Sequence, residues 1–178
     1  MSDSISDVGY ANTTVAEVVR RARASRRTFY QHFADREAAL VALLTDTNAA
    51  TVLEISDAVD PAAPWQIQIR QAIEAWIRRS ESHPALTVSW IRDVPALGAA
   101  ARTLQREAMG AFIVLVQTLS NTAELREAGI EPVPEARAIM LIGGLRELTA
   151  LTVENGGRLS DVAEEAVESA IALLRPRD

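Results

Sequence analysis

Apolar residues recur every three or four positions along nearly the whole chain after Thr13, and no segment alternates with a period of two. The first spacing is that of an amphipathic α-helix, whereas the second would indicate a half-buried strand. The pattern therefore predicts an all-α protein. Of the 178 residues, 48% are hydrophobic, which is enough for one sizeable core or for a small module attached to a larger one.

Three short polar side chains predict closely spaced helix starts near the N-terminus. Thr14-Val-Ala-Glu17 has the form of a capping box, and Ser25 and Asp35 are suitable N-caps. The predicted helices run from Thr14 to about Ala22, from Ser25 to about Phe33 and from Asp35 to about Val59.

Prolines and a glycine pair divide the rest of the chain into further helices. Asp60-Pro-Ala-Ala-Pro64 predicts a break, because proline lacks a backbone donor, and Gly156-Gly157 predicts a helix end. The predicted helices are Pro64–Ser82, Pro84–Asp93, Pro95–Asn121, Pro134–Asn155 and Ser160–Leu174. We expect a loop over residues 122–133, a small N-terminal unit of residues 1–45 and a larger helical domain of residues 46–178.

Positive charge is concentrated between Arg20 and Arg36, although the chain carries a formal net charge of -6. This window has six arginines and one acid, Asp35, whereas the other residues include 12 arginines and 23 acids. Phe29 and Phe33 share one helical face, which leaves polar and basic side chains on the others. One interpretation is a solvated surface. The other is a helix-turn-helix, whose second helix enters the major groove of DNA.

Three stretches form a specific pattern: Gly9-Tyr10-Ala-Asn-Thr-Thr-Val-Ala-Glu-Val, Ala22 to Ser25, and Arg-Arg-Thr-Phe-Tyr-Gln-His-Phe-Ala-Asp-Arg-Glu-Ala-Ala-Leu40. The pattern, from about Gly9 to Leu43, resembles the DNA-binding signature of the TetR family of transcriptional regulators. The resemblance implies an N-terminal helix-turn-helix unit and a helical ligand-binding and dimerisation domain. It also implies a regulator, commonly a repressor, that binds double-stranded operator DNA as a homodimer and is released by a small hydrophobic effector.

The resemblance further implies which side chains meet the DNA. Thr14, Tyr30 and His32 match positions that contact the DNA backbone. Four residues match positions that reach bases or nearby phosphates: Arg26, Arg27, Thr28 and Gln31. Arg36, at the start of the following helix, matches the basic residue that holds a phosphate.

Two features depart from the family pattern. Arg23 stands where the turn usually has glycine, and arginine adopts a left-handed backbone at a cost of about 1 kcal/mol. Only residues 1–8 precede Gly9, so we expect the first helix to be short or missing, the core beneath it to be under-packed, and residues 1–40 to be less ordered. An alternative function follows, namely a dimeric small-molecule-binding helical protein with impaired or lost DNA binding.

The last two predicted helices, at about 134–155 and 160–174, are expected to form the homodimer interface that the resemblance implies. The interior pair Gly143-Gly144 indicates close helix approach, because glycine is otherwise unfavourable within a helix. A small-residue face in the last helix indicates tight packing as well: Val162, Ala166, Ala170 and Leu173. The alternative is that both helices are ordinary core of one monomer.

Four large side chains of the body are candidates for lining an effector pocket: Trp76, Trp90, Met109 and Phe112. His83, Arg92 or Gln105 would supply polar contacts. The alternative is that all four are ordinary core residues. A mixed aromatic and aliphatic lining indicates only a moderately hydrophobic ligand.

Composition excludes several other classes. The chain has no cysteine and only two histidines, His32 and His83, which excludes disulfides, thiolate catalysis and histidine-rich metal sites. No glycine-rich phosphate loop or nucleophile motif occurs, so we expect neither an enzyme nor a cofactor. No uninterrupted apolar run reaches about 18 residues and no charged-then-apolar leader is present, which predicts a cytoplasmic protein without a membrane span.

Overall fold

The computed structural model describes residues 1–175, except for the side chains of Ala96 and Ala100. Within this range all regular structure is helical, which confirms the all-α prediction. The N-terminal helices are α1 (Ser2–Asn12), α2 (Val15–Arg21), α3 (Arg26–His32) and α4 (Arg36–Ala58). The helices of the body are α5 (Trp65–Ser82), α6 (Pro84–Arg92), α7 (Ala99–Leu119), α8 (Ala123–Glu127), α9 (Glu135–Glu154) and α10 (Ala163–Leu174), and short 3-10 turns precede α7 and α10.

The three predicted N-caps are confirmed. The side chain of Thr14 accepts a hydrogen bond from the Glu17 amide at 3.2 Å, and Ser25 accepts one from the Thr28 amide at 3.0 Å. Asp35 accepts from the Ala38 amide at 2.7 Å. These bonds satisfy backbone donors that a helix start leaves free, so α2, α3 and α4 begin where the sequence predicts.

The first helix is present but short. Gly9, with φ 74, interrupts the helical backbone of α1 after Val8. Ile5 is completely buried and Tyr10 is 6% exposed, and both pack in a cluster with residues of α4 and α6. Of the two predicted possibilities, short or missing, the helix is short, and its two large apolar side chains dock α1 on the body.

The core beneath α1 is incompletely covered. Phe29 and Val19 are buried, but an open groove of about 830 Å³, part of it solvent, remains between α2, α3 and α4. We call it the α2–α4 groove. Its apolar lining includes Val18, Val19, Phe29, Phe33, Ala39, Ala42 and Leu43.

The remaining core forms two clusters. One joins α4, α5, α7, α9 and α10, with Ile73, Trp76 and Phe112 near its centre. The other joins α1, α4, α6 and α7 and contains Ile5 and Trp90. The predicted domain boundary after residue 45 lies inside α4, which extends from one unit into the other. That continuity makes α4 a rigid connection between the N-terminal helices and the body.

Residues 122–133, for which the pattern predicts a loop, contain the short helix α8. Thr122 caps α8 by accepting from the Leu125 amide at 3.4 Å, and Leu125 is 2% exposed. A five-residue helix with one strongly buried leucine is too short to produce a periodic pattern. The predicted helix from Pro95 likewise begins as a 3-10 turn, Val94–Ala96, before α7.

By length and composition alone, α4 is apolar enough to cross a membrane, with a mean hydropathy of 1.4 over its best window. In the fold, α4 packs against α5 and α7. Leu40, Leu44 and Ile55 of this helix are at most 5% exposed. Packing within the protein thus accounts for part of its apolar surface.

Candidate nucleic-acid interface and ligand cavity

The polar residues of α3 point away from the protein. All but one of the α3 residues are exposed: Arg26, Arg27, Thr28, Tyr30, Gln31 and His32. Tyr30 is 56% exposed, whereas Phe29 is 6% exposed. The Phe29 ring lies 5.4 Å from the Phe33 ring and meets the Tyr30 ring edge to face, also at 5.4 Å. The two phenylalanines therefore anchor α3 and orient its polar face toward solvent.

The hydroxyl groups near this face have structural partners as well. The Thr28 hydroxyl lies 2.9 Å from the Ser25 hydroxyl, and the Thr14 hydroxyl caps α2. Both threonines remain exposed. A capping hydroxyl can still donate its own proton, which suits a contact to a phosphate oxygen.

The arginines of the window divide into neutralised and free groups. Arg20 and Arg21 both bond Glu17, and Arg21 also bonds Asp7 at 2.6 Å. Hydrogen bonds from Arg20 and then Arg21 lower the pKa of the Glu17 carboxyl to about 2. No such carboxylate partner occurs, among residues 1–175, for three further arginines: Arg23, Arg26 and Arg27. The positive charge of these three arginines, which no carboxylate of the described residues neutralises, thus lies on α3 and on the turn before it.

Arg36 has a structural role in addition to the phosphate contact that the resemblance implies. Its Nη1 donates toward the carbonyls of Tyr10, Ala11 and Thr13 at 3.2, 3.3 and 2.6 Å, and its guanidinium lies 4.4 Å from the Tyr10 ring centroid. The side chain is half-buried and holds the end of α1 against α4. A cation there also interacts favourably with the carbonyl dipoles at the helix end. We therefore assign Arg36 a structural role, and its phosphate contact stays a prediction.

Arg23 occupies the left-handed backbone region, with φ 51. This is the position where the family pattern has glycine. A side chain with a Cβ is strained in this conformation, so the turn between α2 and α3 forms at an energetic cost.

Three of the four pocket candidates line one cavity, which we call the Trp90 cavity. It lies between α4, α5, α6 and α7 and is bounded by Trp76, Trp90 and Phe112. Its polar lining consists of Thr47, Asn48, Thr51, Arg79, Ser80, His83 and Thr87. Met109 is absent from this lining and packs half-buried against the core. Trp76 is fixed by a hydrogen bond from Nε1 to the Thr149 hydroxyl at 3.1 Å.

Only one of the three predicted polar partners lines this cavity. His83 does so, with its Nδ1 2.9 Å from the Ser82 hydroxyl. Gln105 does not, and Arg92 lies on the surface between α6 and α9. Arg92 bonds Glu147 and Glu154, which lowers the pKa of both carboxyls and ties the two helices together. Asn48, which periodicity did not single out, is instead a lining residue.

A second cavity adjoins the first and is almost entirely apolar. Trp76 and Phe112 line both, and their rings meet edge to face at 5.5 Å. The second cavity continues between α5, α7 and α9 along Ile73, Leu115 and Leu141. We call it the apolar cavity.

One exposed face of α9 carries apolar side chains and a glycine pair, together with the Glu147 carboxylate that Arg92 binds. Ile139, Met140 and Leu151 are 42%, 64% and 47% exposed, and Gly143 and Gly144 lie exposed between them. A Cβ added to either glycine would meet no atom within 4 Å. No close helix approach within the protomer therefore explains this glycine pair.

The last helix differs from the expectation. Ala166 and Ala170 of its small-residue face are at most 4% exposed. They pack inside the protomer, where α10 contacts α5. Its exposed side chains include Glu164, Glu165 and Glu168. The apolar exposed face thus belongs to α9.

In the described part of the chain, no group of three or more His, Cys, Asp or Glu side chains is placed to hold a metal ion.

Comparison with known proteins gives a consistent result for the N-terminal helices and for the fold. Residues 3–43 match the family model of bacterial regulatory proteins, tetR family. No curated protein matches significantly. The fatty acid degradation regulator FadR from Bacillus halodurans is 15% identical, with a TM-score of 0.82 over 98% of this chain and 95% of that one.

Two other solved structures have similar folds. The regulator FadR from Bacillus subtilis, in complex with stearoyl-CoA, is 14% identical, with a TM-score of 0.80 over 98% of this chain and 95% of that one. Reduced NemR from E. coli is 15% identical, with a TM-score of 0.77 over 99% of this chain and 95% of that one. The N-terminal helices thus match the tetR family of bacterial regulatory proteins, and the fold of the whole chain is that of these solved regulators.

Proposed function

We propose that the protein is a transcriptional repressor that binds operator DNA as a homodimer and is released by a small hydrophobic effector. The observation that carries the proposal is the exposed polar face of α3, anchored by Phe29 and carrying Arg26 and Arg27 without carboxylate partners. A short helix with such a face fits the major groove, where guanidinium groups bind guanine edges and phosphates.

We propose distinct roles for the side chains around this face. Arg26, Arg27, Thr28 and Gln31 reach bases or adjacent phosphates. Thr14, Tyr30 and His32 contact the DNA backbone, because their hydroxyl and ring N–H groups donate to phosphate oxygens. These residues are all exposed, so DNA can approach them without any rearrangement of the core.

The proposed dimer forms through the exposed apolar face of α9. A single seven-residue helix gives little affinity, and symmetric pairs bind two half-sites one helical turn of DNA apart. Gly143 and Gly144 permit a second copy of α9 to approach closely, and Met140 and Leu151 supply apolar area beside them. The acidic exposed residues of α10 suit the rim of this interface better than its centre.

The proposed effector binds in the body. The similarly folded FadR from Bacillus subtilis was solved with stearoyl-CoA, which supports a ligand with a long apolar part here too. An effector must bind one spacing of the two DNA-binding units better than the other, since equal affinity shifts nothing. α4 and α6 both contribute to the Trp90 cavity and both pack against α1, so they are the proposed link.

The alternative is a dimeric ligand-binding protein whose DNA binding is impaired or lost because the first helix is truncated. We favour the DNA-binding function, because the short α1 forms and docks on α6.

The test is binding of the purified protein to the DNA beside its own gene, measured by fluorescence anisotropy at several salt concentrations. We expect affinity to fall steeply with salt, since phosphate contacts release counterions. Arg27→Ala and Thr28→Ala should weaken binding and relax sequence preference. A salt-independent affinity, or variants that bind as tightly as the natural sequence, would contradict the proposal.

A further inference from the structure

Buried side-chain donors without a hydrogen-bond partner occur beside Trp90. Within residues 1–175 the Nδ2 of Asn48 and the Nε of Arg146 are buried and have no partner. Asn48 lines the Trp90 cavity together with Trp90, and the Arg146 guanidinium lies 5.9 Å from the Trp90 ring centroid. Unpartnered buried donors are unfavourable, so this region of the fold lacks a hydrogen-bond acceptor.

The side chains around Trp90 include basic groups but no acidic group in the cavity lining. The lining of the Trp90 cavity includes Arg79 and His83 but no carboxylate. Arg79 lies 3.5 Å from Glu54, whereas Arg146 makes no ion pair within 4.0 Å in the described part of the chain. Its sequence neighbour Glu147 is already bonded to Arg92 at 2.8 Å.

The Arg146 guanidinium nevertheless remains charged. Burial lowers its pKa from the ordinary value, but an arginine side chain does not lose its proton in a protein at neutral pH. A half-buried charge in a medium of low polarity acts over a longer distance than one in water. An anion placed against Trp90 would therefore be stabilised by Arg146 even without direct contact.

The space next to this position is lined by apolar side chains. Trp76 and Phe112 line both the Trp90 cavity and the apolar cavity. A third cavity continues from the apolar cavity along α5 and ends near Gln68. The third cavity and the apolar cavity share Ile73 and Leu141 in their linings. The separation of eight residues from Trp76 to Gln68 corresponds to about 12 Å of helix, the scale of a medium-length alkyl chain.

We infer that the effector is a carboxylic acid with a long apolar chain, held with its carboxylate beside Trp90 and its chain in the apolar cavity. Asn48 donates to the carboxylate, and Arg146 supplies the compensating charge. This inference rests on the proposed effector-regulated function and specifies the class of its ligand. Trp76 and Phe112 line both cavities, so a ligand that occupies both contacts α5 and α7 at the point where the cavities adjoin.

The test uses the full-length protein and three probes with the same chain: decanoate, methyl decanoate and decylammonium. Binding is measured by isothermal titration calorimetry. We expect decanoate to bind at least about tenfold more tightly than decylammonium, as expected for one charge-assisted hydrogen bond. Decylammonium binding as tightly as decanoate would overturn the inference, and so would a failure of both decanoate and its methyl ester to bind. This comparison needs no variant.

Two variants assign the roles of the donors. Arg146→Met should weaken decanoate binding about tenfold and leave methyl decanoate within about twofold, because only the acid carries the charge. Asn48→Leu should weaken both. Arg102→Met, at an exposed position on α7, is the matched control and should change neither. Unchanged decanoate affinity in folded Arg146→Met would overturn the role of Arg146.

DNA binding measured on the same preparations distinguishes a failure of the inferred effector class from a failure of the proposed DNA-binding function. If the free protein binds its DNA but none of the three probes, the effector class is wrong and the DNA-binding function stands. If the protein binds no DNA, the proposed function fails irrespective of the ligand result.

Discussion

At the scale of single residues, the arginines between Arg20 and Arg36 have three different roles despite their proximity in sequence. Two of them pair with Glu17, one holds the end of α1, and the others remain without carboxylate partners. Side-chain partners set these roles, and partners cannot be deduced from spacing alone. The sequence therefore predicted the charge cluster correctly, but it did not predict that Arg36 donates to three carbonyls at the end of α1.

We predict that Arg36→Met lowers the free energy of unfolding by about 2 kcal/mol, because it removes charged hydrogen bonds to the end of α1. Urea denaturation measures this change. Arg27→Met is the matched control, since Arg27 is exposed, and it should stay within about 0.5 kcal/mol of the natural protein while weakening DNA binding. If Arg36→Met were as stable as the natural protein but defective in DNA binding, Arg36 would have the phosphate role alone.

Arg23→Gly should raise the free energy of unfolding by about 0.5 to 1 kcal/mol, because glycine adopts the left-handed backbone at φ 51 without strain. Part of the gain is offset by the greater flexibility of glycine in the unfolded chain. Ala22→Gly, one position earlier in a right-handed conformation, should instead lower stability. Thermal unfolding of the two variants tests the prediction, and a loss of stability in Arg23→Gly would contradict it.

At the scale of elements, periodicity and capping residues predicted the long helices to within a few residues. The exceptions have physical reasons. Helix α8 contains too few residues for a periodic pattern, and the cover that α1 provides depends on Ile5 and Tyr10 meeting α6, a contact between distant parts of the chain. The three pocket candidates that line the Trp90 cavity could be predicted because they are large aromatic residues. Asn48 could not, because its role depends on the absence of a hydrogen-bond partner for its Nδ2.

The α2–α4 groove leaves the N-terminal helices with less buried contact than the body. We therefore predict that backbone amides of α2 and α3 exchange with solvent at least about tenfold faster than those of α5 and α9. Hydrogen exchange followed by mass spectrometry measures this difference. Equal protection in both parts would show that the groove has no energetic consequence.

Filling the α2–α4 groove should reduce the difference in amide exchange rate between the N-terminal helices and the body. Ala42→Leu adds apolar area against the lining of the groove and should stabilise the N-terminal helices by about 1 kcal/mol. Ala49→Leu, at an exposed position of the same helix, is the control that adds the same side chain without the contact. Equal effects of the two substitutions would contradict the groove's role.

At the scale of the whole molecule, the proposed DNA binding requires two copies of the protein joined through α9. Gly143→Gln should raise the stability of the isolated protomer slightly, because glycine is unfavourable in a helix by about 1 kcal/mol and no atom of the protomer blocks the new side chain. The same substitution should dissociate the dimer by preventing close approach. Light scattering coupled to size-exclusion chromatography measures the mass, and Gly110→Ala in α7 is the control. A Gly143→Gln protein that remains dimeric at low concentration would contradict the α9 interface.

The central claim is that the exposed face of α3 binds specific duplex DNA. The most direct measurement is capture of fragmented genomic DNA by the purified protein, followed by sequencing of the bound fragments, in parallel with Arg26→Met and Arg27→Met variants. We predict that the protein enriches a few DNA sites, each made of two symmetric half-sites about one helical turn apart. Both variants should lose this enrichment. Capture without any enriched sequence, or enrichment that survives both substitutions, would contradict the claim.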